Sequence, residues 1–262
     1  MVTKRALVTG AGHRLGRAMA LCLAGRGYDV AVHYATSQAA AEAVADEIRA
    51  LGQQAQALQC DLLVEADTQA LIGQAGAALG GPLSVLINNA SIFEYDTLVS
   101  ATRNSWDRHI TSNLRAPFVL IQNFAAQVAE PVRDANGEPV AQAMVINMLD
   151  QRVRKLTPEF MTYSIAKMGL WALTQTAAQA LAPRVRVNGI GPGPTLIGAR
   201  QSPEHFAAQR AATILQRGAN SEDITAALRY LLEAPAVTGQ MLCIDGGQHL
   251  GWQTPDIVGS EG

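Results

Sequence analysis

The sequence is poor in cysteine, and none of its three thiols, Cys22, Cys60 and Cys243, belongs to a CxxC pair. Their wide spacing and apolar surroundings argue against a disulfide framework and predict buried free thiols in a reducing compartment. No metal site is expected. Charge is also sparse, at 16% of residues, with 20 Lys and Arg against 22 Asp and Glu and no long basic run. Nucleic-acid and anionic-membrane surfaces need clustered cations, so neither partner is expected. No apolar run approaches the ~20 residues that span a bilayer. Arg5-Ala6-Leu7-Val8-Thr9 reads as a strand with no basic stretch, apolar run and cleavage site ahead of it. A secretory signal is therefore not expected, and the chain reads as cytoplasmic.

What is present is 48% hydrophobic residues in 262, a size at which roughly three quarters of the unfolded surface can be buried. Short apolar runs alternate with amphipathic stretches. The runs predict strands at 5–9, 29–34, 55–60, 83–87, 141–147, 185–189 and 240–244. The stretches between them predict helices at 14–26, 38–51, 64–79, 102–129 (broken near Pro117), 160–182 and 221–233. Such alternation implies an α/β fold, a doubly wound, Rossmann-like domain whose central parallel sheet of about seven strands is flanked by helices. With no repeat or linker, residues 1–262 read as one domain. Residues 131–140 read as a turn-rich surface loop, and about 191–210, opening Gly-Pro-Gly-Pro, as a loop in the place where such sheets put ligands.

The first strand runs into Thr9-Gly10-Ala11-Gly12-His13-Arg14-Leu15-Gly16 and then a helix. Glycines there let the backbone turn tightly and approach a pyrophosphate at a helix N-terminus. Leu15 stands where the GxGxxG pattern has its last glycine. An acidic residue at the carboxyl end of the second strand would hold the ribose of NAD. Here Asp29 sits at the opposite end, and the carboxyl end offers His33, Tyr34, Thr36 and Ser37, beside His13 and Arg14 on the neighbouring turn. Those donors suit a 2′-phosphate, so NADPH/NADP is expected as cofactor and NADH is disfavoured.

Tyr163 and Lys167 lie four residues apart in a helical stretch, on one face. An ammonium beside a phenol stabilises phenolate and lowers its pKa from about 10, which predicts a proton-transfer pair. Taken alone such a pair is common on surface helices; its surroundings give it meaning. With Thr9-Gly10 through Gly16, Asp61, Asn88-Asn89-Ala90, Asn113, Gly191-Pro192-Gly193 with Thr195, and Asp245-Gly246-Gly247, it makes an ordered set spanning nearly the whole chain. By that set the sequence resembles the short-chain dehydrogenase/reductase family.

The resemblance implies cofactor contacts from Gly10, His13, Arg14 and Leu15, from Asp61 and Leu62 after the third strand, and from Asn89, Ala90 and Ser91 after the fourth. It adds Gly193 and Thr195 near the phosphates, and Tyr163 and Lys167 at the nicotinamide. The asparagine matched by Asn113 would hold a water in a proton relay. Two departures are informative: Asp150 replaces the usual serine thirteen residues before the tyrosine, and Arg14 a small residue. A carboxylate can accept two hydrogen bonds from an amino-amidine edge, which a plain carbonyl substrate does not present. Both departures, with Asn89-Ala90-Ser91-Ile92-Phe93, resemble the pteridine reductase branch. That likeness implies a pterin-like substrate between the nicotinamide and Phe93, contacted by Arg14, Ser91, Asp150 and Tyr163. It makes Asp150, Tyr163, Lys167 and Asn113 the expected catalytic set. Where the branch adds an arginine near position 36, this chain has Thr36. The segment 194–210, with Arg200, and the tail near Trp252 are expected to close the site. Apolar helices 102–129 and 160–182 predict a homo-oligomer, a tetramer by family likeness. The alternative readings are a general short-chain reductase acting on a ketone or alcohol, and a non-catalytic dinucleotide sensor.

Overall fold

In parallel strands covered on both sides, every residue is buried, so apolar runs rather than alternation mark them. Arg5–Val8 forms β1 on this principle, followed by helix α1 (Arg14–Ala24), β2 (Asp29–Tyr34), α2 (Gln38–Ala50), β3 (Ala55–Gln59), α3 (Glu65–Ala78) and β4 (Val85–Asn88). The structure, a computed structural model, describes residues 4–198 and 201–252. The second half adds α4 (Arg103–Ile110), a π turn (Thr111–Arg115), α5 (Ala116–Gln127), a short hairpin of β5 (Val132–Arg133) and β6 (Pro139–Val140), and β7 (Ala143–Met148). It ends with α6 (Met161–Leu181), β8 (Val185–Pro192), α7 (Pro203–Ala211), α8 (Ser221–Glu233) and β9 (Met241–Ile244).

Seven strands form one parallel sheet in the order β3-β2-β1-β4-β7-β8-β9. The fold expected from the sequence is the fold observed. Successive residues of each strand point to opposite faces, so β1 feeds two apolar layers. Ala6 and Val8 join Val32, Ile87 and Ile146 against Met19, Leu23, Val44, Ile48 and Leu231 of α1, α2 and α8. Leu7 joins Leu86, Val145 and Val187 against Leu71, Leu120, Phe124 and Ala177 of α3, α5 and α6. Each such leucine or phenylalanine contributes about 1.5–3 kcal/mol by leaving water. The winding direction reverses between β1 and β4, and ligands of doubly wound sheets bind over the carboxyl edge at that switch point. Thr9, Asn89 and Leu149-Asp150 follow the strands at that edge.

Three local expectations gain detail. The break near Pro117 is a π turn centred on Asn113, because a proline ring clashes with the carbonyl four residues before it and the helix widens to avoid the contact. Residues 131–140 hold the β5–β6 pair, closed by the Asp134 carboxylate accepting from the amides of Asn136 (2.8 Å) and Glu138 (2.9 Å). Residues 191–210 are not a continuous loop: β8 extends through Pro192, and α7 starts at Pro203 behind Ser202, whose hydroxyl accepts from the His205 amide at 3.1 Å. Among the described residues no helix is long and apolar enough to cross a membrane.

Candidate active site

The glycine turn is packed too tightly for side chains. Gly10 has φ +64°, and a Cβ there would lie 3.0 Å from the Ala90 Cα; a Cβ on Gly16 would lie 2.2 Å from the Gly10 carbonyl oxygen. Asn89 ties this turn to the end of β4. Its side-chain amide donates to the carbonyls of Thr9 (2.8 Å) and Gly10 (3.2 Å), while the Thr9 hydroxyl accepts from the amides of Asn89 and Ala90, both at 2.9 Å. Hence Asn89 and Ala90 shape the turn. Ser91, next along the chain, donates weakly to the Ile92 carbonyl at 3.4 Å.

His33 does not face outward toward a phosphate, contrary to expectation. It is 1% exposed; its Nδ1 accepts from the Gly10 amide at 2.9 Å and its Nε2 donates to the Cys60 carbonyl at 3.0 Å. Burial lowers its pKa to about 4 against weaker opposing contributions from Cys60 and Asp61. It is a neutral strut between the glycine turn and β3. His13, Thr36 and Ser37 are exposed beside the turn, and Tyr34 and Leu15 are half-buried. Asp61 turns the chain after β3 by accepting from the Leu63 amide at 3.0 Å, and the Leu62 side chain belongs to the second apolar layer.

Arg14 is also placed differently. It is a non-glycine residue at φ +53°, a strain of about 1–3 kcal/mol. Its guanidinium donates to the carbonyls of Leu196 (2.9 Å) and Ile197 (2.8 Å), so it bridges the glycine turn to the segment after β8. A Cβ on Gly193 would meet the Asp245 Cβ at 2.6 Å, and the buried Thr195 donates its hydroxyl to the Gly193 carbonyl at 3.0 Å. Arg200 lies outside the described residues. Trp252 is exposed.

Tyr163 and Lys167 share a face of α6 and are 5% and 2% exposed. The Tyr163 hydroxyl donates to Asp150 Oδ2 at 2.9 Å, Asp150 Oδ1 accepts from the Arg152 amide at 2.8 Å, and Lys167 Nζ donates to the Met148 carbonyl at 2.7 Å. Lys167 was expected to lower the pKa of the phenol; the structure reverses this. Burial, then the neighbouring Asp150 carboxylate, push the Tyr163 hydroxyl well above its ordinary value. Burial also raises Asp150, against the hydrogen bonds from the Arg152 amide and Tyr163. The ammonium itself is pushed down by burial to about 8, Asp150 opposing the shift. Tyr163 and Asp150 therefore hold a proton between them at neutral pH, which suits delivery of a proton more than its removal.

Phe93 is 45% exposed. Its ring stacks on Phe160 with centroids 4.3 Å apart and 8° between planes, and meets Tyr163 edge-on at 4.7 Å. The Arg152 guanidinium lies 4.9 Å from the centroid of Phe160. Phe160 and Arg152 were missed in the sequence; the only available signal was that Phe160 lies one helical turn before Tyr163. Asn113 also has an unexpected task. Its side chain accepts from the Ile92 amide at 2.9 Å and donates to the Ile92 carbonyl at 2.8 Å, so both its polar atoms clamp the residue before Phe93.

A glycine turn at a switch point, beside a buried tyrosine–lysine pair, is the ground plan of a short-chain oxidoreductase. Residues 10–249 match the family model described as enoyl-(acyl carrier protein) reductase, and the chain belongs to the short-chain dehydrogenase/reductase family. It is 33% identical to the 3-oxoacyl-[acyl-carrier-protein] reductase FabG of Staphylococcus aureus, over 95% of this chain and 99% of that one. Among solved structures it is similar to FolM alternative dihydrofolate reductase 1 from Brucella suis in complex with NADP, at 41% identity and a TM-score of 0.90, covering 98% of this chain and 100% of the other. A short-chain dehydrogenase from Burkholderia cenocepacia, also in complex with NADP, is 30% identical with a TM-score of 0.84, covering 94% and 98%. Of these, the likeness to FolM agrees with the resemblance to the pteridine reductase branch.

Proposed function

We propose that the protein is an NADPH-dependent reductase of a pterin-type substrate, converting a dihydropterin, with dihydrofolate as its conjugated form, to the tetrahydro level. The observation that carries this reading is Asp150. A carboxylate stands where most of the family carries serine, and it is bonded to the hydroxyl of Tyr163, whose ring meets the half-exposed Phe93 edge-on. Each carboxylate oxygen has two lone pairs, so after accepting from Tyr163 and from the Arg152 amide Asp150 still has acceptors for the amino-amidine edge of a pterin. The similarity to FolM supports the same substrate class.

NADP(H) fits the residues present. The crowded glycines leave backbone at the helix start, no carboxylate stands at 33–37, and exposed Thr36, Ser37 and His13 can donate to a 2′-phosphate. When bound, NADPH supplies hydride to the carbon of a ring C=N bond. Tyr163 gives the ring nitrogen its proton, directly or through water. The phenolate so formed would face Asp150, and that repulsion favours rapid reprotonation. With both bound, Lys167 would hold the nicotinamide ribose and Asp150 would orient the substrate ring.

The second reading, reduction of a ketone, is favoured by the similarity to FabG. A serine would donate to a carbonyl oxygen, which an ionised carboxylate cannot do. Exposed Phe118 on α5 and Ile165 and Met168 on α6 support a homo-oligomer. The test is oxidation of NADPH, and separately of NADH, with 7,8-dihydropterins, dihydrofolate and simple ketones. Fast dihydropterin turnover with NADPH is expected; turnover of ketones alone would refute the pterin reading.

A further inference from the structure

Helix α6, which carries Tyr163 and Lys167, has no cap of its own. Its N-cap residue is Phe160, at φ +53°, and makes no side-chain capping bond. A helix start leaves amides without partners. The first two of α6 find theirs on Asp96, a buried residue of the loop after β4. The Met161 amide donates to the Asp96 carbonyl at 3.3 Å, and the Thr162 amide to Asp96 Oδ1 at 3.1 Å. The Thr162 hydroxyl donates to Asp96 Oδ2 at 2.5 Å, His109 Nδ1 lies 2.7 Å from that hydroxyl, and the Glu94 amide donates to His109 Nε2 at 3.1 Å.

The protons along this line are ordered by elimination. A backbone amide can only donate, so His109 Nε2 is bare. A neutral imidazole then carries its proton on Nδ1 and gives it to the Thr162 oxygen, whose own proton goes to the carboxylate. The direction is fixed at every link, from the Glu94 amide to Asp96. Asp96, His109 and Thr162 are all buried, where an unmade bond is expensive. The line joins the loop that carries Phe93 to the helix that carries Tyr163, and the His109 and Tyr163 rings are 6.0 Å apart, edge to face.

We propose that Asp96, Thr162 and His109 are positioning residues, with Asp96 capping the catalytic helix from outside it and the one-way hydrogen-bond line fixing the height of Phe93 against Tyr163. This rests on Tyr163 as the proton donor under the proposed function. Charge supports the assignment. Burial works to raise the Asp96 pKa, but the bonds from the Thr162 hydroxyl and amide, together with the Ser105 hydroxyl and His109, outweigh it, so the group is held ionised at a helix N-terminus, where negative charge is favoured. Burial lowers His109 and keeps it neutral against the fields of Asp96 and Glu94, with Arg108 helping. Arg108 also pairs with Glu94 at 2.9 Å, so α4 holds this loop at two successive residues.

The experiment compares Thr162→Val, Thr162→Ser and Asp96→Asn with the parent enzyme. Asparagine at 96 has one acceptor oxygen for two donors, the Thr162 amide and the Thr162 hydroxyl, so in either orientation one of them faces its NH2 group. Leu231→Ala, on the buried face of α8, serves as a control that lowers stability away from the site. For Thr162→Val and Asp96→Asn, kcat should fall by about tenfold or more, as expected for small misplacement of reacting groups. The Kd for NADPH should stay within about twofold, and Thr162→Ser should retain near-parent kcat. Leu231→Ala should lose melting temperature but keep kcat. Hydrogen exchange should speed up together at 92–96 and 161–164 in Thr162→Val, and not at 10–16. Unchanged kcat in Thr162→Val, or a loss that Thr162→Ser fails to restore, would overturn the proposal, as would unchanged exchange at both segments. Should only ketones be turned over, the pterin reading fails while this test still runs on the ketone, because Tyr163 serves either reaction.

Discussion

Acid should loosen the glycine turn through a single side chain, His33. Its Nδ1 is an acceptor for the Gly10 amide and its Nε2 a donor to Cys60, so protonation destroys the bond by which this side chain holds the turn. The folded-state pKa is about 4, against about 6.5 in an unfolded chain. Between those values the unfolded chain binds more protons, so stability is full above pH 6.5 and falls as pH drops toward 4. Working the two equilibria from pH 7 to pH 4.5 gives a loss of roughly 2 kcal/mol from this group. At this chain length that is a fall in Tm of about 5 °C or more. Asparagine at 33 does not titrate, and it can keep the bond to Gly10. Melting curves at pH 7 and 4.5 should therefore fall less for His33→Asn than for the parent, whatever the variant's absolute Tm. Parallel falls in both proteins would refute the strut assigned to His33.

Tyr163→Phe should lower turnover by at least roughly a hundredfold, with NADPH binding retained; near-normal rates would mean that the proton comes from elsewhere. Gly16→Ala places a methyl 2.2 Å from the Gly10 oxygen, so the turn must open. NADPH affinity, read by fluorescence titration, should fall by about tenfold or more, the equivalent of ~1.4 kcal/mol of distortion.

The sheet was legible because buried parallel strands write themselves as apolar runs, and β1, β2 and β3 match their expected segments to within a residue at each end. Helix α7 was not legible: it buries none of its residues, so it carries no apolar stripe to announce it. The β5–β6 pair is two residues long on each side and rests on Asp134, a turn residue in any reading. At the site, Tyr163, Lys167, Asp150 and Phe93 were all named from spacing and resemblance, and the fold brings Tyr163 into contact with both Asp150 and Phe93. What failed was the electrostatics. The effect of Lys167 on Tyr163 was reasoned from sequence neighbours, whereas the carboxylate bonded to the phenol comes from the end of β7. His33 was given a ligand-facing role because its partners, Gly10 and Cys60, lie on other elements and are reached only through the fold, and the clamp of Asn113 on Ile92 was hidden in the same way. The same reason hid Asp96, whose partners sit at the start of a helix 65 residues further on.

The central claim is that Asp150 selects a pterin, and Asp150→Ser tests it most directly. Steady-state rates with a 7,8-dihydropterin and with a ketone would be measured for both proteins at saturating NADPH. The account predicts that the serine variant binds NADPH as the parent does but loses pterin turnover by about a hundredfold, the typical contribution of a positioned acid–base group. Equal pterin kinetics in the two proteins would contradict it.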